Sequence, residues 1–170
     1  MAVHRCVAFL GGINVGGHRC TMETLRAEFA ALGFRDVGTF IASGNVTFST
    51  DDADVEPRIE ARLRGTLGYA VPTFVRTAEA VVALAESCPL PTEGGTVYVG
   101  FLRAAPEGDV AELETPVDSL RVVGRELWWR VEGGLLDSQI KQKEMGRLLG
   151  AMTTRNLNTV RRLAAKLGAA

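Results

Sequence analysis

The chain has 170 residues, 46% hydrophobic and 23% charged, and its 19 basic and 20 acidic residues leave a net charge of −1. A chain of this length buries about 70% of its unfolded surface and folds without a metal or disulfide staple. The composition excludes membrane-spanning, fibrous, disulfide-rich and disordered classes. Cys6, Cys20 and Cys88 are an odd and sparse set, so free thiols and a cytoplasmic location are expected. The opening MAVHRCVAFLGG has an apolar run too short and too poorly flanked for a signal peptide.

The near-neutral total conceals three unlike segments. Residues 1–50 carry four arginines against three acids, residues 51–118 five arginines against thirteen acids, and residues 119–170 ten bases against four acids. After Asp137, the bases Lys141, Lys143, Arg147, Arg155, Arg161, Arg162 and Lys166 face only Glu144. Such a basic end attracts an anionic partner through its long-range field, or serves as a solvated helical face beside the acidic middle.

In chain order, Val3 to Leu10 is a nearly continuous apolar run closed by Gly11-Gly12, the pattern of a central strand. Thr21 is placed to cap a helix carrying Met22, Leu25, Phe29 and Leu32, which Gly33 stops. Strands at Val37–Ala42 and Val46–Ser49 flank Ser43-Gly44-Asn45, where Gly and Asn are expected to supply the positive φ of a tight hairpin. A second helix follows Asp51 to Asp54 with Val55, Ile59, Leu63 and Leu67, ends at Gly68, and leads to a strand at Val71–Arg76. The order β-α-β-β-α-β is the split βαβ of ferredoxin-like units, and right-handed crossovers give the strand order 4-1-3-2.

A trailing helix from Thr77 with Val81, Val82 and Leu84 runs to the turn Cys88-Pro89-Leu90-Pro91, the expected boundary between a domain of residues 1–88 and a second of 89–170. Beyond it come a strand at Thr96–Leu102, a short helical stretch at Glu107–Leu113, and a hairpin of Leu120–Val123 with Glu126–Val131 around Gly124-Arg125. Two helices close the chain, one with Met145, Leu148, Leu149 and Met152, the other with Leu157, Val160, Leu163, Ala164 and Leu167. The expected fold class is therefore α+β, with a ferredoxin-like βαββαβ N-terminal unit followed by a second, partial ferredoxin-like α/β unit lacking its last strand.

Two segments bear on chemistry. The loop from Gly11 to Arg19 holds Gly12, Asn14, Gly16 and Gly17 between a strand and a helix, so backbone N–H groups can approach an anion closely, or the glycines serve a tight connection. From Gly12 it fits G-x-x-x-x-G, but His18-Arg19 stands where a P-loop has Lys and Ser or Thr, and no G-x-G-x-x-G occurs. The topology brings the end of the first strand and the Ser43-Gly44-Asn45 turn to one edge of the sheet, where Asn14, Ser43 and Asn45 would converge. The second segment, Thr153 to Arg162, reads as a helix start capped by Thr153 or Thr154, with Arg155, Thr159, Arg162 and Lys166 in one polar stripe. Asn156 falls on the apolar side of that helix, so it must bond either a neighbouring loop or a ligand. An anion at Thr154 and Arg155 is the sharper reading.

Gly11-Gly12-Ile13-Asn14-Val15-Gly16-Gly17, Ser43-Gly44-Asn45-Val46-Thr47-Phe48 and Thr153-Thr154-Arg155-Asn156-Leu157-Asn158-Thr159-Val160 together resemble the signature blocks of the bacterial family catalogued as domain of unknown function 1697. The resemblance spans nearly the whole chain. It implies a two-part α/β fold with ferredoxin-like character and no particular activity, substrate or cofactor. The sequence departs from the family at Gly11, where an Arg commonly stands, at His18, often Lys, and at Leu157, often Trp. The first two departures lower the fixed positive charge of the glycine loop.

Other chemistries find less support. His4-Arg5-Cys6 and His18-Arg19-Cys20 repeat a tripeptide, but the His-x-Cys spacing is not that of a zinc site, and no metal is expected. No nucleophile elbow or H-E-x-x-H occurs. Trp128 and Trp129 lie on opposite faces of their hairpin, so one could be exposed as a base-stacking platform beside the basic helices. Against this stand 6% aromatics and a pI of about 6.1.

The leading expectation is a cytoplasmic binding module for a small anionic or nucleotide-like ligand, using Gly12, Asn14, Gly16, Gly17, Ser43, Asn45, Thr154, Arg155, Asn156 and Asn158. The alternatives are a nucleic-acid or protein interaction module built on the basic C-terminal helices, and an enzyme with an Asn/Ser/Thr-lined site. No membrane partner is expected, and the residues specify neither a cofactor nor an oligomeric state.

Overall fold

The apolar run near the start of the chain becomes strand β1 (His4–Leu10), in a computed structural model that describes residues 2–13, 17–41 and 44–168. Helix α1 (Met22–Ala31) starts where Thr21 accepts the Thr24 N–H at 3.1 Å, and it buries Leu25 and Phe29. Strands β2 (Arg35–Thr39) and β3 (Asn45–Thr50) follow, then α2 (Glu56–Leu67), closed by left-handed Gly68, and β4 (Thr73–Thr77). The sheet order is β2-β3-β1-β4, every pair antiparallel. This is the 4-1-3-2 order expected from the element pattern, with β1 and β3 central. One face of the sheet, through Ala8, Leu10, Val46 and Phe48, packs with Leu25 and Phe29 of α1 and Ile59 and Leu63 of α2. The rings of Phe34 and Phe48 stack there at 4.6 Å.

Helix α3 (Ala78–Glu86) leads to β5 (Thr96–Leu102), a 3-10 turn at Val110–Leu113, β6 (Asp118–Val123), β7 (Glu126–Val131), a second 3-10 turn at Leu135–Asp137, α4 (Gln142–Leu149), β8 (Met152–Asn156) and α5 (Leu157–Gly168). The second sheet has the order β6-β7-β5-β8, again antiparallel throughout. Leu127, Trp129 and Val131 of β7 share a core with Leu102, Leu120, Met145 and Leu149. The chain is thus a mixed α/β protein with two four-stranded antiparallel sheets. It divides into compact units of residues 1–81 and 82–170, the division falling within α3.

Four expectations are corrected. The second unit does not lack its last strand: Thr153 and Thr154 extend in β8 and pair with Phe101 and Gly100 of β5. Two adjacent β-branched residues suit an extended edge, and pairing with β5 outweighs the tendency of threonine to cap. Helix α5 accordingly begins at Leu157, so Arg155 belongs to a strand and not to a helical stripe with Thr159, Arg162 and Lys166. Met152 likewise sits in β8, because Gly150, at φ 73°, ends α4. In the β2–β3 connection Gly44 has φ 82°, and among its described residues Ile41 also has positive φ, at 55°, while Asn45 is part of β3.

Candidate functional site

The glycine loop leaves β1 at the edge of the first sheet, and backbone bonds tie its start to two other connections. Leu10 N–H donates to Gly44 O at 2.9 Å, and Gly11 N–H donates to Pro72 O at 2.8 Å. The end of β1, the β2–β3 connection and the α2–β4 connection therefore meet, as the strand order required. Gly44 is held by contact as well as by φ: a Cβ there would stand 2.8 Å from Ile13 Cγ2 and 3.2 Å from Leu10 O. Gly12 and Gly17 have φ of 68° and 90°, and among the described residues beyond their chain neighbours no atom lies within 4 Å of a Cβ at either. Their backbone is turned by φ rather than by crowding, with room beside it. Of the remaining expected loop residues, Asn14, Gly16 and Ser43 lie outside the described residues.

Asn45 is a structural member of this edge. It is buried, and its Nδ2 donates to Phe40 O at 3.0 Å, while Phe40 N–H donates back to Asn45 O at 3.0 Å. The side chain therefore closes the β2–β3 connection rather than pointing outward. On the far side of the loop, His18 stacks on Tyr69 with ring centroids 3.7 Å apart. The Tyr69 hydroxyl is buried without a hydrogen-bond partner among the described residues, and burial with the nearby Cys20 raises its pKa. Sequence reading missed Tyr69 and Pro72. A tyrosine directly after the Gly68 cap, four residues before β4, is the signal that could have drawn attention to the first.

Cys20 is half-buried, and its thiol is pushed up by burial and then by Glu28. Cys6, buried in β1, is pushed up by burial against a smaller opposing effect of Arg5. Both thiols are protonated at neutral pH and are poor nucleophiles. Among the described residues no group of three or more His, Cys, Asp or Glu side chains is placed to hold a metal ion.

The third sequence block lies in the second unit, at the β8–α5 junction. Arg155 is buried and donates from Nη1 to Thr153 Oγ1 and to Thr154 O, both at 2.8 Å. Burial lowers its pKa to about 10, so it stays charged at neutral pH. Thr154 is half-buried in β8; Asn156 Oδ1 accepts the Asn158 N–H at 2.8 Å, fixing the first turn of α5. The neighbour that Asn156 must satisfy is thus the helix backbone itself. The first unit repeats the arrangement: Arg76, also buried, donates from Nη1 to Val75 O at 3.0 Å, and Thr77 Oγ1 accepts the Ala80 N–H at the start of α3. Arg76 pairs with Val7 of β1 as Arg155 pairs with Val99 of β5.

The exposed bases remain on the last two helices: Lys143 and Arg147 on α4, Arg161, Arg162 and Lys166 on α5. The aromatic platform does not. Trp128 is 1% and Trp129 8% exposed, because β7 lies inside its sheet and Trp129 Nε1 donates to Asp118 Oδ1.

Comparison with known proteins places this geometry in a family. No curated protein matches the chain. Among solved structures, the conserved bacterial protein SP0830 from Streptococcus pneumoniae is similar with a TM-score of 0.72 and 19% identity, over 98% of this chain and 99% of that one. At that identity the likeness is one of fold. The family described as protein of unknown function (DUF1697) matches residues 3–128, a span that holds the glycine loop and the Gly44 turn, and the chain belongs to that family.

Proposed function

We propose that the chain is a binding module for a small anionic or nucleotide-like ligand, held at the loop edge of the first unit. The observation that supports this most directly is the pair Gly12 and Gly17, both at positive φ with open space beside them among the described residues, in a loop whose start is tethered to Gly44 and Pro72. Positive-φ glycines turn backbone N–H groups toward a ligand, and tethering lowers the ordering cost of binding. Arg19, exposed at the end of the loop, and the N-terminus of α1 supply the positive potential. The reading rests on first-unit residues alone, with Asn14 and Ser43 as further side-chain donors.

Two finer readings accompany it. We infer that each unit is ferredoxin-like, supported by the 4-1-3-2 order in both sheets, and that the protein is cytoplasmic, supported by three free cysteines. Thermal unfolding with a panel of inorganic phosphate, nucleoside monophosphates and nucleoside triphosphates tests the binding proposal. At 100 times its dissociation constant a true ligand adds about 2.7 kcal/mol of stability. The expected result is a raised Tm with at least one panel member, lost in Arg19→Ala and Gly17→Val. An unchanged Tm across the panel overturns the proposal.

A second reading, a polyanion on the basic helices, is supported by the exposed bases of α4 and α5 but has no exposed tryptophan to stack a base.

A further inference from the structure

Leu136 is fully exposed, at 101% of its reference surface, and Leu135 beside it at 42%. Exposed single leucines are ordinary, but this one is held in a rigid turn. Gly134 N–H donates to Asp137 Oδ2 at 2.8 Å, Leu135 N–H to Tyr98 Oη at 3.1 Å, and Asp137 N–H to Gly134 O at 2.9 Å. On the far side, Ser138 Oγ and Gln139 N–H both donate to Asp118, at 2.6 and 2.9 Å. Asp118 also accepts from Thr115 Oγ1 and Trp129 Nε1, so the turn is anchored to a buried carboxylate at the start of β6. An apolar side chain presented on so fixed a support loses little entropy on docking.

The same unit holds a recess that matches it. A cleft of about 340 Å³ runs beside β6, walled by Pro106, Val110 and Ala111 on one side and by Leu120, Arg121 and Val122 on the other. Side chains of consecutive strand residues point to opposite faces, so three in a row place the cleft along the edge of β6. β6 is an edge strand. Its outward Leu120 N–H is already taken by Glu114 Oε2 at 3.1 Å, which leaves the Val122 end as the open part. The charges are complementary. Exposed Lys141 and Lys143 follow the leucine turn, while exposed Asp109 lines the cleft and exposed Glu107 and Glu112 are chain neighbours of its lining residues Pro106, Gly108 and Ala111; Arg121 in the cleft answers Asp137 in the turn.

The geometry points to self-association: a second copy of this chain, related by a two-fold axis across β6, puts its Leu136 into this cleft and receives the first copy's Leu136 in return. The turn bonds Asp118, and the cleft lies at Leu120–Val122, two to four residues further along β6, or about 7 to 13 Å at 3.3 Å per residue. A two-fold axis between them brings the two into register twice, which closes the assembly as a dimer.

Sedimentation equilibrium over about a hundredfold range of concentration tests this, since mass action then separates one-chain from two-chain species. The expected result is a wild-type mass that rises to two chains and a Leu136→Asp variant that stays at one. Because Leu136 is fully exposed, circular dichroism and Tm of the dilute variant should be unchanged. Combined Lys141→Glu and Lys143→Glu substitutions should also weaken association, and adding Glu107→Lys and Glu112→Lys should restore it. A wild type that stays at one chain, or a Leu136→Asp variant that dimerises as well as wild type, overturns the proposal.

Discussion

Asp118 shows how one residue can organise a stretch of chain that sequence patterns leave blank. Burial alone would raise its pKa, but hydrogen bonds from Ser138, Thr115 and Trp129, and from the Gln139 N–H, outweigh it and hold the carboxyl below its ordinary range. A depressed carboxylate contributes stability that is present above its unfolded pKa, near 3.9, and is lost as pH falls through the folded value. Asp118→Asn, which turns one acceptor into a donor among donors, is expected to cost about 1.5 to 3 kcal/mol at pH 7. Urea unfolding checks it: the gap between wild type and variant should shrink as pH falls below about 4, and a pH-independent gap would refute the assignment. In the sequence, Asp118 was one more acid in an acidic segment. Its donors lie 3, 11, 20 and 21 residues away, and no local pattern links the last three to it.

At the scale of elements, the connections decide more than the strands do. The β2–β3 turn is fixed by Gly44 at positive φ and pressed on Leu10 and Ile13, so Gly44→Ala adds backbone strain of about 1 to 3 kcal/mol to a steric conflict at the glycine loop. Thermal unfolding should show a lowered Tm, together with weakened binding of any anion found to bind; an unchanged Tm would mean that the turn rearranges freely. Edges are managed with carboxylates. Glu56 and Glu60, one turn apart on α2, accept the Val75 and Thr73 N–H groups of edge strand β4 at 2.7 and 3.1 Å, as Glu114 does for β6. Turn and strand signals placed the first unit closely. They failed at β8, because a five-residue strand running straight into a helix shares its threonines with the sequence signature of a helix cap.

Across the whole molecule the two units repeat one plan, with the order strand, helical element, two strands, helix, strand, helix in each and a buried arginine at matching positions of β4 and β8. The charge is not repeated: residues 51–118 are acidic and the exposed bases of α4 and α5 belong to the second unit. If those bases meet a polyanion, oligonucleotide binding should fall steeply and linearly in log–log form as salt rises, with a slope of about −0.7 per phosphate contacted on a single strand. Absence of binding at low salt removes that reading. The sequence by itself determined what depends on local order: helix starts and stops at Thr21 and Gly68, the two central strands of the first sheet, and the membership of the chain in its family. Only the tertiary structure decided which side chains face protein instead of solvent or ligand. Asn45, Arg155 and both tryptophans carry groups suited to recognition, but each is buried on a strand, and the polar groups of Asn45, Arg155 and Trp129 bond the protein itself, since a buried polar group left unpaired costs about 1 to 3 kcal/mol.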